Sequence, residues 1–204
     1  PHVFPKSELH FVKCKMSEKQ RRLYQKIIKI ESKKNVVGDY VNFDISNSFF
    51  IGTRMVSNVI FPNNKIGEDG YNSLTDKYLS IPYMKIYSPK FLKILRRIKK
   101  CEGTVFVYSS FKEYGGIKSF MRFLEHHHFK NYENHKSGDR RYAVWSGDQD
   151  TSTKDEIKAV FNHSNNSDGS QLKVILASPS AKEGVSFLRV QEVHLLEPYW
   201  NFSR

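Results

Sequence analysis

The sequence lacks the features that mark membrane and secreted proteins. No apolar run approaches the roughly 20 residues that a transmembrane helix needs, and the first residues do not show the charged-then-apolar pattern of a signal peptide. The only two cysteines, Cys14 and Cys101, are isolated and match neither a disulfide framework nor a zinc-binding spacing. We therefore expect an intracellular protein in a reducing setting, without membrane contact.

Common catalytic motifs are missing as well. No G-x-x-x-x-G-K-[ST] loop occurs, so the chain has no triphosphate cradle of its own. Neither a Ser–His–acid order nor a metal-ligand spacing stands out. The run His126-His127-His128 does not predict a metal site, because consecutive helical residues point about 100° apart and cannot converge on one ion. The favoured interpretation is instead that these histidines lie near a helix end, where they interact with the helix dipole. The sequence predicts no catalytic residue and no metal ligand in this chain.

Positive charge, in contrast, is present in excess. The chain has 33 Lys and Arg against 21 Asp and Glu, a formal net charge of +12. This excess favours a polyanionic partner, either nucleic acid or an acidic membrane surface, although a role in solubility alone stays open. The hydrophobic fraction of 39% and the aromatic fraction of 14% indicate a packed core rather than disorder.

In the second half of the chain, strand patterns alternate with helix patterns. Short runs rich in Val, Ile and Leu predict buried strands at residues 104–108, 142–145, 173–177 and 192–196. Helices are predicted between them, at 116–127 and from about Thr153. This alternation predicts an α/β fold with a doubly wound parallel sheet.

The first half is predicted to be mainly helical. Residues 9–16 alternate between apolar and polar side chains, which predicts a strand with one solvent-exposed face. Ser17 and Gln20 have the spacing of a capping box, which predicts a helix at 18–30. A second helix is predicted at 45–60, despite Gly52, and a surface loop at 63–80. Ser88-Pro89 is a typical helix start.

Small polar residues follow three of the predicted strands. They are Ser109, Ser110, Ser146, Gly147 and Ser178. Because parallel strands end at the same edge of a sheet, we expect these residues to lie together and to offer N–H and hydroxyl groups to phosphates. The alternative for the 178–186 segment is an ordinary strand–turn–strand connection. Tyr199 and Trp200 indicate either a base-stacking platform or core packing.

Four segments occur in the order and spacing of the second RecA-like lobe of superfamily 2 helicases and translocases. They are TVFVYSSF (104–111), WSGD (145–148), SPSAKEGVS (178–186) and EPYWN (197–201). Residues 12–24 and 48–62 also resemble the connecting segment of Swi/Snf-type enzymes. The chain is similar to the viral branch in particular, the poxvirus-type nucleoside triphosphatase I and early-transcription-factor ATPases of large DNA viruses.

The resemblance implies the second motor lobe of an ATP-dependent nucleic-acid helicase or translocase acting in viral transcription. Residues 1–87 would connect to a first RecA-like lobe, and 88–204 would form a RecA-like C-terminal lobe that stops before motif VI and its arginine finger. ATP and Mg²⁺ would bind the intact enzyme, and this chain alone would bind neither and be inactive. The implied partners are nucleic acid (DNA or RNA), the first lobe and viral transcription machinery, in the virion or the host cytoplasm.

The resemblance also implies two groups of site residues. The nucleic-acid-binding residues would be Ser109, Ser110, Phe111, Ser146, Gly147 and Ser178. The nucleotide-binding residues would be Glu183, Gly184 and Ser186. One departure is that Ser186 stands where many members of the superfamily have Asp, so a carboxylate contact is excluded there.

Two alternatives stay open at this stage. One is a non-catalytic basic module that binds nucleic acid with a RecA-like fold. The other is a nucleotide-sugar or small-molecule α/β enzyme, which the charge of +12 and the absence of catalytic clusters disfavour.

Overall fold

The computed structural model describes residues 6–36, 50–179 and 185–197. The helices are α1 (Glu18–Val36), α2 (Ile51–Asn58), α3 (Gly67–Asn72), α4 (Asp76–Leu79), α5 (Ile81–Tyr87), α6 (Pro89–Lys100), α7 (Ile117–His126) and α8 (Thr151–Asn162). The strands are β1 (Thr104–Tyr108), β2 (Lys130–Asn131), β3 (Arg141–Trp145), β4 (Val174–Ala177) and β5 (Val190–Leu195). A 3-10 turn lies at Ser164–Asn166.

The five strands form one sheet in the order β2-β3-β4-β1-β5, and each neighbouring pair is parallel. Helices cover both faces. On one face Val107 packs in a cluster with Phe91 of α6 and Phe120 of α7, and on the other Trp145 packs with Phe161 of α8. The predicted fold class, a doubly wound parallel sheet with a helical N-terminal extension, is confirmed.

The last strand differs from its prediction. Residues 192–196 were expected to be buried, yet Val193 and Leu195 are each 60% exposed. The reason is that β5 is the outer strand of the sheet and pairs with β1 along one side. An apolar run of this length has the same appearance in a central strand and in an edge strand.

The N-terminal helix is confirmed and continues beyond its predicted end at residue 30. The Ser17 hydroxyl accepts a hydrogen bond from the Gln20 N–H at 3.0 Å, as a cap should. The preceding strand prediction for 9–16 is wrong, because no strand among the described residues pairs with this segment and Phe11 is 81% exposed. Alternation of apolar and polar residues produces a strand only where another strand completes its hydrogen bonds.

Two further predictions need correction. The expected loop at 63–80 contains α3 and α4, which place Leu74 and Leu79 in the core at 1% exposure each. In the helix predicted at 45–60, residues 51–58 are helical, 59–60 lie beyond its end, and 45–49 lie outside the described residues. A glycine fits at position 52 of this helix because the Glu31 carboxylate of α1 lies where a side chain would be. This carboxylate accepts a hydrogen bond from the Gly52 N–H at 2.7 Å. Within the described ranges, none of the helices combines the length and apolarity that crossing a bilayer requires.

Candidate functional site

Three adjacent strands, β3, β4 and β1, end side by side at one edge of the sheet. The next residues are Ser146, Ser178 and Ser109. The Ser109 N–H donates to the Ala177 carbonyl at 3.0 Å, and the Ser178 N–H donates to the Trp145 carbonyl at 3.1 Å. The structure therefore brings these three serines together at the carboxyl edge of the sheet.

The serine side chains at this edge are nonetheless buried, with exposures of 0% for Ser109, 1% for Ser146 and 4% for Ser178. The Ser146 hydroxyl donates to Gln149 Oε1 at 2.9 Å. The Ser109 hydroxyl donates to Glu197 Oε1 at 2.8 Å and accepts the Phe111 N–H at 3.1 Å. The hydroxyls of Ser109 and Ser146 thus fix the turns that follow their strands.

The loop after β1 also packs against the N-terminal extension. Ser110 and Phe111 are half-buried. The Ser110 N–H donates to Glu197 Oε2 at 2.8 Å, and the Phe111 ring lies 5.0 Å from the guanidinium carbon of Arg54 on α2, within the range of a cation–π contact.

Gly147, in the turn after β3, is the most open of the predicted residues at this edge. It is exposed, and a Cβ atom placed on it would meet no atom within 4 Å. Next to it, the Asp148 carboxylate pairs with the Lys112 ammonium of the loop after β1. The pair therefore bridges the loops after β1 and β3, on either side of the end of β4. The hydrogen bond to Lys112 lowers the pKa of Asp148, and the same bond raises the pKa of Lys112.

A buried polar cluster beneath this edge was missed by the sequence analysis. Its centre is Glu197, which lies two residues after the end of β5, directly before the PYWN segment, and is 5% exposed. Asn58, at the end of α2 and fully buried, donates from Nδ2 to Glu197 Oε1 and to the Gly115 carbonyl, the latter at 3.0 Å. Asn58 and Glu197 are 139 positions apart in the chain, so no local pattern could have joined them.

Lys90 of α6 completes this cluster. Its ammonium donates to Asn58 Oδ1 at 2.6 Å and to the Leu196 carbonyl at 2.8 Å. Burial lowers the pKa of Lys90, and the negative charge of Glu197 opposes that shift. A half-buried cation, Lys90, and a buried anion, Glu197, are thus joined through the side-chain amide of Asn58. We call Lys90, Asn58, Glu197, Ser109 and Ser110 the edge network.

Of the three predicted nucleotide-binding residues, Ser186 lies within the described residues. Glu183 and Gly184 lie outside the described residues, as do Tyr199 and Trp200. Ser186 is exposed, and its carbonyl accepts the Asn162 Nδ2–H at 2.9 Å. Since Asn162 ends α8, Ser186 lies at the opposite end of that helix from the Gly147 turn.

The histidine run is a packing feature. His127 Nε2 lies 3.2 Å from the Leu79 carbonyl, and burial, helped by the positive charge of Lys99, lowers the pKa of His127 to about 4. His127 is therefore neutral at pH 7. Over the residues whose placement the structure gives, no three His, Cys, Asp or Glu side chains converge as metal ligands do.

Comparison with known proteins finds relatives of this chain among viral proteins. No family profile matches it. It is 66% identical over 204 residues to a protein of Acanthamoeba polyphaga mimivirus named as an ATP-dependent RNA helicase, an alignment that covers 100% of this chain and 36% of that protein. It is 26% identical over 196 residues to the NPH-I termination factor homologue of an African swine fever virus isolate from a pig in Kenya, covering 78% of this chain and 27% of that protein.

The resemblance to proteins named as helicases of large DNA viruses is therefore confirmed, and the chain spans about a third of the length of these relatives. Two solved structures also align with it, each with a TM-score of 0.49. They are the Sulfolobus solfataricus SWI2/SNF2 ATPase core in complex with dsDNA, at 13% identity over 92% of this chain and 34% of that chain, and the C-terminal part of the Fun30 ATPase domain, at 12% identity over 97% and 77%.

Proposed function

We propose that this chain is the second motor lobe of an ATP-dependent nucleic-acid helicase or translocase that acts in viral transcription. The observation that carries the proposal is the 66% identity over all 204 residues to a protein named as an ATP-dependent RNA helicase. Residues 88–204 would be the RecA-like lobe, and residues 1–87 would connect it to a first lobe. The net charge of +12 supports a polyanionic track.

In this proposal nucleic acid contacts the carboxyl edge of the sheet. The exposed Gly147 turn lets a phosphate approach the main chain closely, and Lys112 supplies a positive charge beside it. The buried serines Ser109, Ser146 and Ser178 support this surface by holding the turns that follow their strands. Ser110 and Phe111, which are half-buried, contact the nucleic acid beside the Gly147 turn. Contacts to phosphates carry no base information, so such a motor runs on any sequence.

ATP, with Mg²⁺, is the substrate of the intact enzyme in this proposal. Glu183, Gly184 and Ser186 are assigned to the nucleotide on the resemblance of their segment. The chain brings no triphosphate cradle, so the phosphates would be held mainly by the first lobe.

The full-length protein provides the test of this function. We expect its ATPase rate to rise when single- or double-stranded DNA or RNA is added, with one of the four as the best stimulant. Each nucleic acid is titrated at fixed salt, and phosphate release is measured. Binding of nucleic acid without any stimulation would instead support the non-catalytic binding module.

The Lys112–Asp148 pair gives a sharper prediction about the interface. Replacing Lys112 with Gln should weaken binding of every nucleic-acid sequence and lower the slope of log affinity against log salt by about 0.7–0.9, the value of one lost phosphate contact. Replacing Asp148 with Asn should strengthen binding, because it removes a negative charge that competes with phosphate for Lys112. Fluorescence anisotropy at several salt concentrations measures both effects.

Lys136→Gln is the matched control for Lys112→Gln. Like Lys112, Lys136 is a partly exposed lysine in an ion pair, with Glu156 at 2.8 Å, but it lies in the loop that precedes β3, at the amino edge of the sheet. Its replacement removes the same charge and should leave the salt slope unchanged. Equal effects of the two substitutions would show that net charge, and not the carboxyl edge, determines binding.

A further inference from the structure

Helix α2 covers the loop that follows β1. Arg54 lies against the Phe111 ring. Met55 fills the space beside Gly115, where a Cβ atom would lie 2.6 Å from the Met55 side chain. Asn58 donates to the Gly115 carbonyl at 3.0 Å. The helix therefore holds this loop at both of its ends.

Asn58 also reaches the far side of the same loop through Glu197. The Glu197 carboxylate binds the Ser109 hydroxyl and the Ser110 N–H, each at 2.8 Å. The Asn58 amide uses both of its N–H groups and its oxygen, since Oδ1 accepts from Lys90. Among the side chains of this size, only an amide supplies two donors and one acceptor. An aspartate would place a second negative charge beside Glu197.

The other end of α2 is fixed to α1 in a similar way. The Glu31 carboxylate accepts the N–H groups of Gly52 at 2.7 Å and of Thr53 at 3.1 Å. A negative charge at a helix N-terminus is also favoured by the helix dipole. A continuous path of buried and half-buried hydrogen bonds thus runs from α1 through α2 to the loop after β1.

We propose that Asn58 is a positioning residue that couples movement of the N-terminal helices to the loop after β1. This proposal rests on the proposed function, in which those helices connect to the first lobe and the loop lies at the nucleic-acid interface. A shift of α2 changes the Asn58–Gly115 and Asn58–Glu197 bonds together, and with them the position of the Ser110 main chain. Packed, fully hydrogen-bonded clusters transmit such shifts because they have few intermediate arrangements.

The experiment compares two buried asparagines in the full-length protein. Asn58→Leu should lower the stimulation of ATPase by nucleic acid by about 10-fold, a typical coupling effect, while the unstimulated rate changes little. Asn166→Leu is the control. Asn166 is equally buried and fully hydrogen-bonded, but its partners are Phe161, Gln171 and Leu172 around the turn before β4. It should lower the melting temperature and leave the stimulation ratio unchanged.

A second measurement separates coupling from ordinary stabilisation. Hydrogen exchange of the same proteins should show faster exchange at Ser110 and Ile117 in Asn58→Leu, and no change there in Asn166→Leu. If Asn58→Leu does not fold, Asn58→Ser, which adds no charge beside Glu197, is measured instead, with the same expected losses.

The outcomes distinguish the two proposals. If the wild-type protein is stimulated and Asn58→Leu keeps the wild-type stimulation ratio, the coupling role is overturned and the motor function stands. If no nucleic acid stimulates the wild-type protein, the motor function fails and the coupling role falls with it. A loss of stimulation of equal size in Asn166→Leu would also overturn the coupling role, because any loss of stability would then produce it.

Discussion

Replacing Gly116 with Ala should destabilise the protein by about 3 kcal/mol, at the upper end of the cost of overpacking a well-packed site. A Cβ atom on Gly116 would lie 1.9 Å from the Phe111 carbonyl oxygen and 2.6 Å from the Ser109 hydroxyl oxygen. The nearest obstacle is main chain, so it cannot turn aside as a flexible side chain would. The loop after β1 must move, which breaks the Ile117 N–H bond to the Phe111 carbonyl, now 2.9 Å long.

Thermal unfolding of the purified chain measures this effect, and we expect the melting temperature to fall by about 6–12 °C. Gly147→Ala is the control, since its Cβ would meet no atom within 4 Å. Its effect should stay within about 0.5 kcal/mol, as for most exposed positions. If the two glycines behave alike, the close packing of Gly116 against Phe111 is not part of the native loop.

The second large effect is expected at Glu197. Glu197→Ala should cost about 3–5 kcal/mol, because it removes the acceptor of three hydrogen bonds, and a buried donor left without an acceptor costs about 1–3 kcal/mol. The substitution leaves the Ser110 N–H, the Ser109 hydroxyl and one Asn58 donor without their acceptor. It also leaves the half-buried Lys90 without the negative charge that opposes its desolvation. Unpaired buried groups cost more than the bonds themselves gave.

Glu192→Ala is the matched control for Glu197→Ala. Glu192 lies in β5, five positions earlier, and pairs with Arg97 at 3.2 Å and with His194 at 3.0 Å, but all three side chains are partly exposed. A pair of this kind contributes about 0–1 kcal/mol, because water screens it and the long side chains lose freedom when they pair. Denaturant unfolding of both variants is the measurement. Equal losses at the two positions would show that Glu197 is not the centre of a buried network.

The elements that the sequence predicted well are those with a strong local signal. The strand at Thr104–Tyr108 is a short run of apolar and β-branched residues, and the helix that begins at Pro89 has a serine cap and a proline at its first position. The Ser88 hydroxyl accepts the Phe91 N–H at 3.1 Å, as that pattern requires. Such signals involve neighbours in sequence, which is why they can be read before the chain is folded.

Predictions that needed a distant partner were less successful. Residues 9–16 have the alternation of a strand, but no other strand lies beside them in the described part of the chain. The 63–80 segment is polar on average, yet Leu74 and Leu79 reach the core shared by α6 and α7 and hold two short helices in place. In both cases the missing information was which other residues lie nearby.

The sequence by itself determined the α/β class, the carboxyl-edge position of the serines after β1, β3 and β4, and the resemblance to viral helicases. These follow from local periodicity and from short motifs that survive without knowledge of packing. Only the tertiary structure decided that Ser109 and Ser146 hold turns with buried hydroxyls, and that Glu197, Asn58 and Lys90 form one cluster. The physical reason is burial: whether a polar side chain meets water, a ligand or another buried group depends on residues that are far away in the chain.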